Sequence, residues 1–178
     1  MLAGGIRLVQ YRAKSGIDRA VLAEACVRAH ASGALVIVND DLDAVQDADG
    51  IHLGQEDLAL VSEPHALRAR LAGKILGVSC PDVKAARAAA ALGADYVGVG
   101  AMYATGTKSD AGAPIGAQGV ESVVQSIALP VAAIGGITLE RIPEVRSTGA
   151  AMAAVITAIS RAANRQAAAR ALVDAWAH

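Results

Sequence analysis

The chain has 178 residues, a mass of 17.9 kDa and a formal net charge of −1. This length fits one domain, so we predict that residues 1–178 form a single domain. The near-neutral charge and an aromatic content of only 2% argue against binding to nucleic acid or to an anionic membrane surface. We find no signal-peptide pattern and no membrane span in the sequence. Two widely spaced cysteines, Cys26 and Cys80, predict a cytoplasmic protein.

Short apolar segments alternate with longer Ala-rich segments along the chain. The predicted strands are residues 6–11, 34–38, 50–53, 74–79, 96–99, 131–134 and 152–155. The predicted helices are residues 18–31, 42–46, 62–71, 82–92, 119–126, 139–145 and 164–177. Repeated strand-then-helix units are typical of an α/β fold, in which helices cover a parallel sheet.

Polar residues follow almost every predicted strand, which favours a closed (β/α)8 or TIM barrel over an open sheet, because a ring brings all its strand ends to one rim. These residues are Gln10, Arg12 and Lys14; Asn39 and Asp40; His52, Gln55 and Asp57; Ser79; Thr105 to Lys108; Gly135 and Gly136; and Thr157. The last two predicted strands end like the phosphate-binding strands seven and eight of such barrels. Since seven strands are visible, we expect the first strand and helix to be missing.

Two acidic residues that follow consecutive strands form a candidate metal site. Asp40 and Asp57 are expected to face each other across neighbouring loops, and carboxylate oxygens together with water suit Mg²⁺. For Asp41, Asp43 and Asp47 the simpler interpretation is that an aspartate after a strand caps the next helix. His52 is interpreted as a packed, hydrogen-bonded histidine inside the barrel.

Two further segments suit a diphosphate. Gln10, Arg12 and Lys14 alternate at strand spacing, so their side chains should converge on one side of the sheet. The loop over residues 100–108 combines glycines with two hydroxyls, Thr105 and Thr107, and the ammonium group of Lys108.

In this order, the motifs resemble the thiamine-phosphate synthase family, also called thiamine-phosphate pyrophosphorylase. The matching stretches are Val9-Gln10-Tyr11-Arg12-Ala13-Lys14, Val38-Asn39-Asp40-Asp41, residues 48–57, Leu76-Gly77-Val78-Ser79, residues 94–108 and residues 130–137. The resemblance implies a Mg²⁺-dependent transferase of thiamine biosynthesis. Such an enzyme joins hydroxymethylpyrimidine diphosphate to a thiazole phosphate and releases diphosphate, with charge neutralisation and positioning as the main sources of catalysis.

The resemblance also implies roles for individual residues. Gln10, Arg12, Lys14, Asn39, Ser79 and Lys108 would contact the pyrimidine diphosphate, with Arg12, Ser79 and Lys108 as the catalytic residues. Thr105, Thr107, Gly136, Ile156 and Thr157 would bind the thiazole phosphate, and Asp40 and Asp57 would hold Mg²⁺. The partners implied are these small molecules, together with a possible second copy of the chain.

The sequence departs from the family pattern at several positions. Pro81 replaces a usual histidine, Ala101 and Ala104 stand where prolines are usual, and Met152 replaces a glycine. Two alternatives therefore stay open beside the synthase. One is a thiazole tautomerase of the same barrel family. The other is a non-catalytic relative that binds a thiamine precursor. An aldolase with a Schiff-base lysine ranks below both, because Lys14 and Lys108 lie among polar residues.

Overall fold

The computed structural model describes residues 1–13, 15–61, 64–106 and 112–178. Within these residues the strands are β1 (Leu8–Tyr11), β2 (Leu35–Asn39), β3 (Gly50–Leu53), β4 (Ile75–Cys80), β5 (Tyr96–Val99), β6 (Val131–Ile134) and β7 (Met152–Ala154). The α-helices are α1 (Arg19–His30), α2 (Gln55–Ala59), α3 (Pro64–Leu71), α4 (Val83–Ala91), α5 (Gly116–Ser126), α6 (Ile142–Ser147), α7 (Thr157–Ser160) and α8 (Arg165–Ala177). Short 3₁₀ turns cover Leu2–Gly4, Ala44–Asp47 and Leu139–Arg141.

The strands form one parallel sheet in the order β1 to β7. In the described ranges, no pairing joins β7 back to β1. The architecture is therefore the predicted α/β type, with strands in sequential order as in a TIM barrel. Whether a first strand and helix are missing stays a prediction.

The sheet separates two apolar layers because successive side chains in a strand point to opposite faces. On the inner face Ile37, Tyr96 and Ala132 form a small cluster, with Leu8, Ile75 and Met152 packed against it. On the outer face a much larger core joins the sheet to the helices, and its largest members include Leu22, Ile51, Leu53, Leu71, Leu76 and Ile142. Gln10, Asn39 and Ser79 share the parity of the inner cluster, so they lie on the inner face of the sheet, where Gln10 is exposed.

Helix starts follow from local chemistry. The side chains of Asp18, Asp82 and Asn164 accept backbone N–H groups at the first turns of α1, α4 and α8. These bonds satisfy donors that a helix leaves unpaired at its start. The sequence Ser62-Glu63-Pro64 predicts that Ser62 caps the following helix, and this residue lies outside the described ranges.

Most predicted elements are present, with ends that shift by one to three residues. β3, β5 and β6 have the predicted bounds, whereas β1 begins two residues later, at Leu8. Two short helices were not predicted, α2 and α7. Both have five or fewer residues, too few to show a helical period in the sequence. Among the helices that the structure describes, none has the length and apolarity needed to cross a membrane.

Candidate active site

The two predicted metal ligands lie side by side around Gly54. A methyl group at Gly54 would lie 2.9 Å from Asp57 Oδ2 and 3.7 Å from Asp40 Oδ1. The Gly54 N–H donates to Asp40 Oδ1 over 2.9 Å, and Asp40 itself has a left-handed backbone with φ of 63°. Asp and Asn are among the few residues that adopt this conformation readily. The turn after β2 therefore aims the Asp40 carboxyl group at the loop after β3.

Asp40 and Asp57 are two acidic groups that lie close together without a positively charged partner in the described residues. Burial raises the pKa of Asp57, and the negative charge of Asp40, together with the hydrogen bond that a protonated Asp57 donates to it, raises that pKa further. Neither carboxyl group forms a salt bridge within the described residues. Both line a cavity of about 370 Å³, so a ligand can reach them. A cation placed between them would relieve their repulsion.

An amide pair extends this site across β1 and β2. Gln10 Nε2 donates to Asn39 Oδ1 over 2.8 Å, and Asn39 Nδ2 donates in turn to Asp40 Oδ2. These contacts fix the Asn39 side chain between the predicted pyrimidine site and the predicted metal site. Gln10, Asn39 and Asp40 are thus brought together by hydrogen bonds.

The regular strand ends before Arg12, so the predicted alternation does not carry this residue into the sheet. β1 ends at Tyr11, so Arg12 follows the strand and is exposed. Lys14 lies outside the described residues. The predicted roles of both residues stay predictions.

A hydrogen-bonded chain crosses the interior from β5 to β4. His52 Nδ1 lies 2.8 Å from Tyr96 Oη, and His52 Nε2 lies 2.9 Å from Ser79 Oγ. Burial lowers the pKa of His52 to about 4, an effect that the negative charge of Asp40 partly offsets. Burial also raises the pKa of Tyr96. His52 is accordingly a packed, hydrogen-bonded neutral imidazole, as its interpretation from the sequence expects.

Sequence reasoning missed Tyr96 as the partner of His52. It also missed that Gln55 Nε2 donates to the Ser79 carbonyl oxygen. The alternation of side chains along β3, β4 and β5 puts His52, Ser79 and Tyr96 on one face of the sheet. Only the strand register shows that these three side chains touch. That register pairs His52 with Gly77, and Gly77 with Tyr96.

The predicted thiazole-phosphate end is built from the loops after β5, β6 and β7. Gly135 and Gly136 have φ values of 99° and 65°, and a Cβ on them would lie 2.6 Å from Ala101 Cα and from Ala104 O, respectively. Only glycine therefore lets the loop after β5 pass this close to the loop after β6. Thr105 lies half-buried in the first of these loops. Thr107 and Lys108 lie outside the described residues.

The same two loops are tied together by side chains that the sequence did not single out. The Arg141 guanidinium lies 4.2 Å from the centre of the Tyr103 ring and donates to the Gly136 carbonyl oxygen. Tyr103 Oη donates to Glu144 Oε2 over 2.7 Å. Burial and this carboxylate raise the pKa of Tyr103 to about 12. After β7, Ile156 is exposed and Thr157 is the first residue of α7.

Comparison with known proteins identifies the family of the chain. A family model described as thiamine monophosphate synthase matches residues 1–159. The chain belongs to that family. Thiamine-phosphate synthase from Caldivirga maquilingensis is 43% identical over 180 residues, which cover 98% of this chain and 85% of that protein. Thiamine-phosphate synthase from Chloroflexus aurantiacus is 42% identical over 177 residues, which cover 96% of this chain and 80% of that protein.

A solved structure gives the same result. Thiamine phosphate pyrophosphorylase from Pyrococcus furiosus matches with a TM-score of 0.86 at 31% identity, over 99% of this chain and 85% of that chain. The predicted membership of the thiamine-phosphate synthase family is therefore confirmed over nearly the whole sequence.

Proposed function

We propose that this chain is a thiamine-phosphate synthase that joins hydroxymethylpyrimidine diphosphate to a thiazole phosphate and releases diphosphate. One observation carries the proposal: in a member of this family, Asp40 and Asp57 face each other beside the amide groups of Gln10 and Asn39. A tautomerase of the same barrel family has no need of a diphosphate site or of paired metal ligands, so this pair favours the synthase.

The proposal includes Mg²⁺, because the acidic pair fits that ion. Mg²⁺ takes oxygen ligands, is held by one or two carboxylates, and completes its shell with water and substrate phosphates. The described residues contain no group of three or more His, Cys, Asp or Glu side chains placed to bind a metal ion. A two-carboxylate site is what an ion shared with a diphosphate requires. Bound there, the ion supplies positive charge that stabilises the leaving diphosphate.

The residues of the chain would then bind and orient the two substrates. Gln10, Asn39 and Ser79 offer amide and hydroxyl groups to the pyrimidine diphosphate, and Arg12, Lys14 and Lys108 offer positive charge. The glycine pair at 135 and 136, with Thr105, Thr107, Ile156 and Thr157, would hold the thiazole phosphate. Holding the thiazole nitrogen against the pyrimidine methylene carbon lowers the entropic cost of their reaction.

The proposal also covers the closure of the barrel, the cellular location and the oligomeric state. We propose a closed ring of eight strands in the active form, since β1 and β7 end the described sheet with unpaired edges. A cytoplasmic location fits two free, buried cysteines. A homo-oligomer is proposed as well, and sedimentation of the purified chain tests it.

The deciding experiment incubates the purified chain with both substrates and Mg²⁺ and measures thiamine phosphate by chromatography. We expect product that disappears when EDTA is added and returns with excess Mg²⁺. The same assay is applied to Asp40→Asn, which changes a proposed metal ligand. Asp41→Asn is its matched control, because Asp41 is the adjacent aspartate but its side chain caps the next turn. Folded protein that binds diphosphate with Mg²⁺ and forms no product would support the non-catalytic relative instead.

A further inference from the structure

The chain from Tyr96 through His52 to Ser79 joins a deeply buried hydroxyl group to a residue of the proposed substrate site. Tyr96 Oη lies 2.8 Å from His52 Nδ1, and His52 Nε2 lies 2.9 Å from Ser79 Oγ. The three residues stand on β5, β3 and β4. His52 and Tyr96 have no role in the function proposed above, which leaves the purpose of this arrangement open.

Two glycines make room for the two rings. A Cβ at Gly77 would lie 2.2 Å from the Tyr96 ring, and a Cβ at Gly98 would lie 3.0 Å from His52 Cε1. The ring centres are 5.5 Å apart with their planes tilted by 38°. Since any larger residue at these two positions would displace a ring, the sheet holds both rings in fixed places.

The burial of Tyr96 decides which way the hydrogen bonds run. Tyr96 is 7% exposed, and a buried hydroxyl proton requires an acceptor. Among the residues that the structure describes, His52 Nδ1 is the one hydrogen-bond partner of Tyr96 Oη. Nδ1 must therefore accept that proton, and the remaining ring proton lies on Nε2.

The direction of the second hydrogen bond follows. Nε2–H donates to Ser79 Oγ, which uses an acceptor position of the hydroxyl group and leaves its own proton free to point elsewhere. With the opposite tautomer, Ser79 would donate to the ring and could offer a ligand only lone pairs. The two tautomers thus make Ser79 a donor or an acceptor toward the substrate.

We propose that His52 is a positioning residue that fixes the Ser79 hydroxyl as a hydrogen-bond donor to the pyrimidine diphosphate, and that Tyr96 sets the tautomer of His52. This inference rests on the proposed function, which supplies the ligand. An oxygen-rich diphosphate presents acceptors, so a serine held as a donor matches it. Catalysis through Ser79 then depends on a side chain outside the proposed set of substrate-binding residues.

The first test reads the tautomer directly. Nitrogen-15 NMR of the full chain, with histidines labelled and His52 assigned by its loss in His52→Gln, distinguishes a protonated Nε2 from a protonated Nδ1. We expect the Nε2–H form in the wild type and a mixture of tautomers in Tyr96→Phe. A wild-type ring protonated at Nδ1 would overturn the proposal, whether or not the chain is active.

The second test asks whether Tyr96 acts through Ser79. Tyr96→Phe should lower kcat/KM for the pyrimidine diphosphate by about 3- to 10-fold, the loss expected for one oriented hydrogen bond. In a Ser79→Ala background the same change should have less than about a twofold further effect, because coupled residues are non-additive. Thermal melts of all four proteins identify any loss of folded protein.

The outcomes separate this inference from the proposed function. Equal losses from Tyr96→Phe in both backgrounds would show a merely structural role for Tyr96 and overturn the inference while the synthase stands. No product from the folded wild type would overturn the synthase, and the NMR result would then still decide the direction of the hydrogen bonds.

Discussion

Aspartates stand at both ends of the sheet, and their surroundings differ. Asp49 and Asp95 precede β3 and β5, and each accepts a backbone N–H of the preceding strand, from Val36 over 2.8 Å and from Leu76 over 2.7 Å. Each also meets a basic side chain: Asp49 meets His30 at 2.9 Å, and Asp95 meets Arg68 at 3.0 Å. Both carboxylates therefore have hydrogen-bond and charge partners within the fold.

At the opposite end, Asp40 and Asp57 face each other, and no basic partner reaches them in the described part of the chain. Two unpaired like charges weaken a fold unless a ligand compensates them. The same residue type therefore stabilises the fold at one end of the sheet and forms the proposed metal site at the other. In parallel barrels generally, chemistry belongs to the end where the strands finish.

The strongest test of this contrast is Asp40→Asn. Asparagine keeps the left-handed backbone and an oxygen for Gly54 N–H, but it removes the charge. We expect turnover to fall by at least about 100-fold, the range seen when a group that stabilises developing charge is lost. The melting temperature should change little, since the relief of the repulsion with Asp57 is offset by the lost hydrogen bond from Asn39 Nδ2. Near-normal turnover would contradict the site.

The pH dependence of stability gives the next largest effect. His52 has its pKa lowered to about 4 in the folded chain, from an ordinary value of 6.5, so the unfolded chain takes up this proton first. Stability from this group is complete above pH 6.5 and is lost as pH falls toward 4, by up to about 3 kcal/mol. Urea unfolding between pH 7 and pH 4 measures this slope. His52→Gln should flatten it, and an unchanged slope in that variant would refute the assignment.

The other end of the sheet is tested by Asp95→Ala. The change leaves the buried Leu76 N–H without its acceptor, so the free energy of unfolding should fall by about 1–3 kcal/mol. The activity per folded molecule should stay at the wild-type level. A selective loss of activity without a loss of stability would erase the contrast between the two ends. Chemical denaturation together with the product assay measures both quantities.

The smallest effect is expected at Asp41, which lies at the same end as the site but outside it. Its Oδ1 accepts the N–H groups of Asp43 and Ala44 at 3.0 and 2.8 Å, as a cap. Asp41→Ala should cost about 1 kcal/mol of stability and leave kcat/KM unchanged. A large loss of activity would mean that proximity to the strand end, and not pairing with Asp57, decides which aspartates matter.

The sequence predicts the fold well where local pattern is enough. The alternation of short strands and helices locates all seven described strands. The sequence also distinguishes Asp40 from Asp41. Asp40 contacts the loop after β3, whereas Asp41 caps the turn that follows it. Family resemblance adds the proposed chemistry of the site.

Local pattern fails where contacts depend on register or on loop paths. Nothing in the spacing of His52 and Tyr96, 44 residues apart, indicates that their side chains touch. Nor does spacing bring Arg141 onto the ring of Tyr103, since two loops from different units must first fold toward each other. β1 shows a third limit, because the strand stops at Tyr11 although the alternation of side-chain types continues to Lys14.

The close approach of Gly77 to the Tyr96 ring has a consequence for redesign of the interior. Volume at these two positions is shared, so a methyl group gained on β4 must be matched by a smaller side chain on β5. Mutant libraries that vary only residue 77 or only residue 96 are expected to yield mostly the original residue among folded proteins. If the two positions are varied together, a larger residue at position 77 and a smaller one at position 96 can be accommodated at the same site on the inner face.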